Sequence, residues 1–405
     1  MAVSVEEALR LIYENVKPKT AKILPIELAL NQIISEDITA THNLPPFDNS
    51  AMDGYAVRCS AQGKTIEISH TILAGDKDEI DLNEGYIYKI MTGAKIPSGC
   101  EAIVPIEEVK VENNFVTFTK PIKHGAHIRL AGEDIEIEDL IISRSTYLSA
   151  HHITLLASQG ISHVKVYNKP RIALFASGSE LKMHCQTLEE HQLYNTNTPT
   201  FQARAKELGC EVEFIGTAMD TLEEIESMIK TALDYDLIIT SGGVSVGDAD
   251  FTKEAFSHFG FEPIFEKVEI KPGKPTTFGK IGNSYVLNLP GNPLAATLNF
   301  ELFAKAAILA MSANKEKYIN FIETKMGSDF QTRAGKRTLI PGYFDGSTFE
   351  PSKKFAPGMI SPMARSNGFI MIAEEVAHLA SGQSVKFIPT RFSFTCKEEK
   401  DLVTR

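Results

Sequence analysis

Apolar residues recur along this chain with two periods, and the period changes with position. Near the start, Ser4-x-x-Glu7 overlaps Val5, Ala8, Leu9 and Ile12 at helical spacing, which predicts a helix opened by a capping box. From about Pro45 to Asp134 the apolar runs are short, alternating and broken by glycine and proline. Thr65-Ile66-Glu67-Ile68 and Phe115-Val116-Thr117-Phe118 are examples, so this stretch reads as a β-rich insert. Helical and strand patterns return over residues 147–166, and Asn168-Lys169-Pro170 marks a boundary.

Beyond that boundary strands and helices alternate, the pattern of a doubly wound α/β domain. Arg171-Ile172-Ala173-Leu174-Phe175 reads as a strand, and Pro199 opens a helix that runs to Leu208 and stops at Gly209. Glu211-Val212-Glu213-Phe214-Ile215 is the next strand. Thr221-x-x-Glu224 caps a helix whose Leu222, Ile225, Ile229 and Leu233 make one apolar face. Leu237-Ile238-Ile239 is a buried strand, and Tyr285-Val286-Leu287-Asn288-Leu289 is another. The latter turns at Pro290-Gly291-Asn292-Pro293 into a long helix ending near Ala313. From about Lys317 onward, short strands and turns predict a small β domain.

Composition narrows the class. A chain of 405 residues implies two to four domains, and a formal net charge of −11 argues against nucleic acid or an anionic membrane as the main partner. Cys59, Cys100, Cys185, Cys210 and Cys396 are scattered, with no C-x-x-C pair, which fits reduced thiols. Met-Ala-Val-Ser-Val-Glu-Glu carries acids where a secretory signal has bases, and no uninterrupted apolar run approaches a membrane span. The expectation is a soluble cytoplasmic protein.

The densest chemistry follows the strand at 237–239. Thr240-Ser241-Gly242-Gly243-Val244-Ser245-Val246-Gly247-Asp248-Ala249-Asp250 is a glycine-rich loop that ends in acids. Glycines let several backbone N–H groups converge on a polyanion, and the carboxylates can hold a magnesium ion beside it. The loop lacks the Gly-Lys-Ser/Thr ending of a Walker A motif. Lys267-Val268-Glu269-Ile270-Lys271 alternates, so the lysines share a face with Cα atoms about 13 Å apart. Their repulsion is about 1 kcal/mol at an effective dielectric near 20. A solvated edge strand explains that segment alone, but Lys274 in Pro272-Gly273-Lys274-Pro275 favours an anion site.

Pro290-Gly291-Asn292 leads into a helix and is either a plain capped turn or a second anion site. Glu180 and Asp220 follow separate strands and are expected at the sheet edge that carries the glycine loop. In the β-rich part, residues 48–56, Thr92-Gly93-Ala94 and 129–134 are polar islands, each explicable as a turn. His151-His152 lacks metal-ligand context and reads as structural.

Together the islands resemble one family. Asn49 through Ala56, Met91 through Ala94, Gly132 through Ile135, Ser241 through Asp250, Lys271 through Pro275 and Leu289 through Pro293 are similar, in order, to the motifs of the molybdopterin molybdenumtransferase (MoeA) family. That family includes the C-terminal domain of gephyrin, and the likeness extends from about Ser4 to Pro389. It departs at Ala356-Pro357-Gly358-Met359 and at Arg337-Thr338-Leu339, in the C-terminal part.

The resemblance implies insertion of molybdate into adenylated molybdopterin with release of AMP, a Mg²⁺ requirement, and a homodimer that contacts other proteins of cofactor synthesis. It implies an elongated dimerisation region (1–44 and 136–169), a β-rich insert (45–135), a molybdopterin-binding α/β domain (170–315) and a C-terminal β-barrel-like domain (316–405). By motif, Asp53, Thr92, Asp134, Lys267, Lys271 and Lys274 are expected to be catalytic. Arg129, Ser241, Gly242, Gly243, Gly247, Asp248, Pro290, Gly291 and Asn292 are expected to bind substrate, and Glu180, Asp220 and Asp250 the metal. Two other readings compete: a scaffold that keeps this fold without catalysis, and the adenylylation step of a stand-alone α/β relative. Scaffolding would tolerate loss of the acids and lysines, all of which are present. The stand-alone fold would not need the insert or the last domain.

Overall fold

A computed structural model describes residues 2–77, 80–243, 251–391 and 403. Gly247, Asp248 and Asp250 lie outside the described residues. The chain divides into two compact units: Met1–Lys22 with Asn31–Ile33 and Val166–Arg405, and Ile23–Leu30 with Ile34–Lys165.

The larger unit is built on a six-stranded sheet. Its elements are β1 (Arg171–Ser177), α1 (Asn197–Glu207), β2 (Glu211–Ala218), α2 (Leu222–Ala232), β3 (Leu237–Ser241), α3 (Phe251–His258), β4 (Glu262–Phe265), β5 (Thr277–Ile281), β6 (Ser284–Leu289) and α4 (Pro293–Met311). The strand order is β2-β1-β3-β6-β5-β4. The first four strands in that order are parallel, whereas β5 pairs antiparallel with β6 and β4 antiparallel with β5, so the doubly wound sheet carries an edge of antiparallel pairs.

Alternation within each strand explains the near-continuous apolar runs. Ile172 and Leu174, Leu237 and Ile239, and Leu287 and Leu289 enter one core. Ala173, Phe175, Ile238 and Val286 enter the other. Helix α1 (through Phe201 and Ala205) and α4 cover the first face; α2 (Ile225, Ile229) and α3 (Phe256) cover the second. A sheet buried on both faces has no need of polar positions in its strands. Because α1 and α2 lie on opposite faces, the winding reverses between β1 and β3, and ligands of open α/β sheets sit outside the strand ends at such a point.

Three local expectations are adjusted. Helix α1 begins at Asn197, two residues before Pro199. The long helix runs to Met311 and is interrupted by a π-helical segment, Phe300–Ala304. It is long and apolar enough to cross a membrane, but four-fifths of it is buried in the protein core. The lysine strand is short: Lys267–Val268 pairs with Ala2–Val3, and Lys271 bridges to Thr338.

The first helix, Val5–Asn15, packs Val5, Ala8 and Ile12 into the core beneath α4. Ser4 caps it by accepting from the Glu7 N–H at 3.1 Å, a bond worth about 1 kcal/mol. Glu7 itself turns to Arg10, so only half of the capping box forms. The same unit ends in a closed five-stranded barrel with Met326, Ile340, Phe349, Ile370 and Phe387 inside.

In the smaller unit a six-stranded sheet runs in the order Ala102–Pro105, Gly54–Val57, Ile87–Ile90, Thr65–Ile72, Phe115–Thr117, Lys110–Glu112. Tyr55, Val57, Ile87 and Val104 fill one side, while Ala56, Tyr88, Ile90 and Ile103 fill the other. Helix Ala150–Ser158 belongs to this unit; His152 closes a capping box with Ser149, which accounts for that histidine structurally.

Candidate substrate cleft

Three parallel strands deliver their C-terminal ends to one place. β1 ends at Ser177, β3 at Ser241 and β6 at Leu289; the residues just beyond them line a cleft of about 900 Å³. Ser241, Gly242, Gly243, Pro290, Gly291 and Asn292 are in its wall, as are Glu180 and Asp220. Eight residues singled out from motifs in separate parts of the chain therefore share one cavity, at the reversal between β1 and β3.

Glycine is required where the ends meet. Gly242 has φ +98°, donates its N–H to the Leu289 carbonyl at 3.3 Å, and any Cβ there would sit 2.4 Å from the Ser177 carbonyl oxygen. At Gly243, with φ +64°, a Cβ would fall 2.0 Å from Thr252 Oγ1. Backbone groups thus approach the cavity without a side chain in the way.

The acids occupy one flank. Asp220 Oδ2 accepts from the Ser179 N–H at 3.2 Å, and the Asp220 N–H donates to Ser179 Oγ at 3.2 Å. Helix α2 is capped instead by Thr221, so Asp220 is not consumed as a cap. The Glu180 carboxylate folds over Gly178. Among the described residues no cluster of three or more His, Cys, Asp or Glu side chains is arranged to hold a metal ion.

The lysines are placed differently from the expectation. Pro275 of the Pro-Gly-Lys-Pro turn lines the cleft, but Lys267, Lys271 and Lys274 are exposed and do not line it. The turn is clamped through backbone: the Lys271 N–H donates to the Arg337 carbonyl, and the Leu339 N–H to the Lys271 carbonyl, both at 2.8 Å. Asn299, fully buried, donates to the Pro272 carbonyl at 3.1 Å and fixes the turn from below. An added Cβ at Gly273 would collide with it, so the glycine there serves packing.

The polar islands of the smaller unit form one surface. Thr92 donates to Asp53 Oδ1 through both its hydroxyl and its N–H, at 2.7 Å each. Those bonds hold the Asp53 carboxyl below the usual carboxylate range. Arg129 is in register with Asn49, the Ala131 N–H donates to Asp48 Oδ1 at 2.8 Å, and the Asp134 N–H donates to the Leu44 carbonyl at 3.1 Å.

Several lining residues were not anticipated. Asn195, Thr196 and Asn197 belong to the cleft, and Asn197 ties Ser241 to Gly291. The signal was present as the unbroken polar run Asn195-Thr196-Asn197-Thr198 leading into the first turn of α1, which by sequence reads as a turn. The divergent stretch also contributes: Gly358 and Ile360 line the cleft, and the Pro357 carbonyl accepts from the Leu294 N–H at 3.0 Å.

Comparison with known proteins finds relatives of the whole chain. Residues 3–160 match the MoeA N-terminal region (domain I and II), residues 173–310 a "probable molybdopterin binding domain", and residues 323–390 the MoeA C-terminal region (domain IV). A molybdopterin molybdenumtransferase of Staphylococcus aureus is 33% identical over 405 residues, covering 96% of each chain. The chain belongs to the molybdopterin molybdenumtransferase (MoeA) family. A Haemophilus influenzae protein of the same name is 33% identical over 392 residues, covering 92% of this chain and 94% of its own. A solved molybdopterin biosynthesis MoeA protein from Pyrococcus horikoshii superposes with a TM-score of 0.83 at 28% identity, covering 97% of this chain and all of that one. The multidomain α/β-plus-β architecture read from the alternating patterns is therefore that of MoeA structures.

Proposed function

We propose that this chain inserts molybdenum into molybdopterin, using molybdate and adenylated molybdopterin and releasing AMP. One observation carries the reading: the glycine backbone of 242–243, the Pro290–Asn292 turn and the carboxylates of Glu180 and Asp220 line a single cleft in a member of this family.

Cleaving a phosphoanhydride calls for neutralisation of developing charge more than for a covalent nucleophile. Gly242 and Gly243 let the phosphate-bearing part of the substrate approach backbone N–H groups. Glu180 and Asp220, hard oxygen donors, fit a Mg²⁺ ion, which takes one or two carboxylates together with substrate phosphates; Asp250 would be the third acid. Such an ion, when bound, supplies charge neutralisation at the phosphate oxygens. Ser179 orients Asp220 for that task. Gly247 and Asp248 would extend the loop's contacts to the substrate.

Lys271 and Lys274, with Lys267, would attract and clamp oxyanions from the rim, and molybdate, a dianion, suits such donors. By motif, the reading also assigns Asp53, Thr92 and Asp134 to catalysis and Arg129 to substrate binding. The smaller unit exposes Ile23, Leu28, Leu130, Ile137 and Leu140, each more than half accessible, which supports a homodimer. Delivery of the substrate by other cofactor-synthesis proteins in the cytoplasm completes the reading.

The test mixes purified protein with adenylated molybdopterin, molybdate and Mg²⁺ and follows AMP by chromatography. Molybdate-dependent AMP release is expected; intact substrate and no AMP would overturn the proposal.

A further inference from the structure

Asn197 stands in the cleft wall with its orientation decided by its neighbours. The residue is only 7% exposed. Its Nδ2 donates to Ser241 Oγ at 2.7 Å and to the Gly291 carbonyl at 2.8 Å. A carbonyl can only accept, so the Gly291 bond settles which end of the amide is nitrogen. The two bonds use both hydrogens.

Oδ1 is the polar atom that remains. It has no partner among the described residues, and it is not among the buried side-chain atoms sealed from solvent. Because Asn197 lines the cleft, that oxygen is open to a hydrogen-bond donor that water or a ligand brings. Pro293 and Ile360 line the cleft as well, and with Thr196 and Asn197 they also line a second, adjoining cavity of about 850 Å³. Flat apolar surfaces beside one fixed acceptor suit a heteroaromatic ring that carries an amino group on its edge.

We propose that Asn197 is a specificity-determining residue that accepts a hydrogen bond from a ring amino group of the ligand and rejects the oxo counterpart. The inference rests on the reading of the cleft as a site for adenylated molybdopterin, whose adenine and pterin each carry such a group. An oxo group in the same place sets its oxygen against Oδ1 and leaves both unpaired. Ser241 and Gly291 hold the amide, so it cannot turn over to offer its nitrogen instead.

The experiment is equilibrium binding to the full chain of two matched pairs: AMP against inosine monophosphate, and pterin against lumazine, its 2-oxo counterpart. Wild type and Asn197→Ala are compared. In one of the pairs wild type should bind the amino member about tenfold or more tightly, the scale of one hydrogen bond made or lost. In Asn197→Ala that ratio should fall to near one. The pair that responds identifies which half of the substrate faces Asn197.

A ratio is not moved by mere loosening of the loops, which weakens both members alike, and the wild-type comparison does not depend on the variant's folding. Equal binding within both pairs, or a preference that survives in Asn197→Ala, overturns the assignment alone. No binding by any of the four overturns the substrate reading and this assignment with it.

Discussion

The meeting of strand ends at Gly242 can be tested against a matched glycine. Gly242→Ala meets two penalties. The left-handed backbone at φ +98° costs about 1–2 kcal/mol for a residue with a Cβ. The new methyl, 2.4 Å from the Ser177 carbonyl oxygen, adds about 1–3 kcal/mol of overpacking. That oxygen is backbone at the end of β1, and Gly242 is tied to β6 on its other side, so neither can move without parting the sheet edge. Gly260, between α3 and β4, has φ +75° but no heavy atom within 4 Å of an added Cβ. Gly260→Ala therefore carries only the backbone penalty.

Urea denaturation followed by far-ultraviolet circular dichroism should show Gly242→Ala losing at least about 1 kcal/mol more than Gly260→Ala. Calorimetric titration with AMP should show about a tenfold or greater loss of affinity in Gly242→Ala alone, about 1.4 kcal/mol or more. Equal stability losses, with AMP binding kept in both variants, would refute the claim that close approach of strand ends dictates this glycine.

Other substitutions probe separate parts of the argument. Glu301, 2% exposed, accepts from Arg204 Nε at 2.6 Å and Nη2 at 3.0 Å, so Glu301→Ala should cost about 2–4 kcal/mol in urea by stranding a partly buried guanidinium. Arg204 also bonds Glu207 and the Thr390 carbonyl, which keeps the loss from being larger. Asp220→Asn should raise the Mg²⁺ concentration needed for half-maximal AMP release about tenfold or more while leaving the urea midpoint unchanged. Lys271→Ala should abolish AMP release with the fold intact, because only backbone atoms of Lys271 hold the turn; retained turnover would remove it from the catalytic set. Asp345 is held below its usual pKa of 3.8 by N–H bonds from Thr348 and Ser347. Its contribution is full above pH 3.8 and disappears as pH falls through the lower folded value, so Asp345→Asn should destabilise at neutral pH and approach wild type in acid.

How much was readable in advance depends on whether a feature is local. The caps at Ser4 and Thr221, the stop at Gly209 and the two-faced strands follow from neighbours a few residues apart, and the structure has them. Glu180, Asp220, Gly242 and Asn292 could be predicted to share an edge because every parallel strand of a doubly wound sheet ends on the same side. The antiparallel β5–β4 edge could not be predicted, since strand direction depends on which partner lies beside it. The lysines show the same limit: alternation orients Lys267 and Lys271 away from the core, but bonds to Arg337 and Leu339 decide where that face lies.

From the amino-acid order alone came the element types, the multidomain α/β-plus-β class and the family, because these rest on short-range periodicity and on motifs contiguous in the chain. Tertiary structure decided which side chains lose their freedom. Asn197 looks like any turn residue until Ser241 and Gly291, 44 and 94 positions away, take both of its amide hydrogens and leave its oxygen open. Arg204 and the buried Glu301, 97 positions apart, become an ion pair in the same way. Hydrogen bonds act over about 3 Å of space whatever the separation along the chain, so only the folded arrangement can assign them.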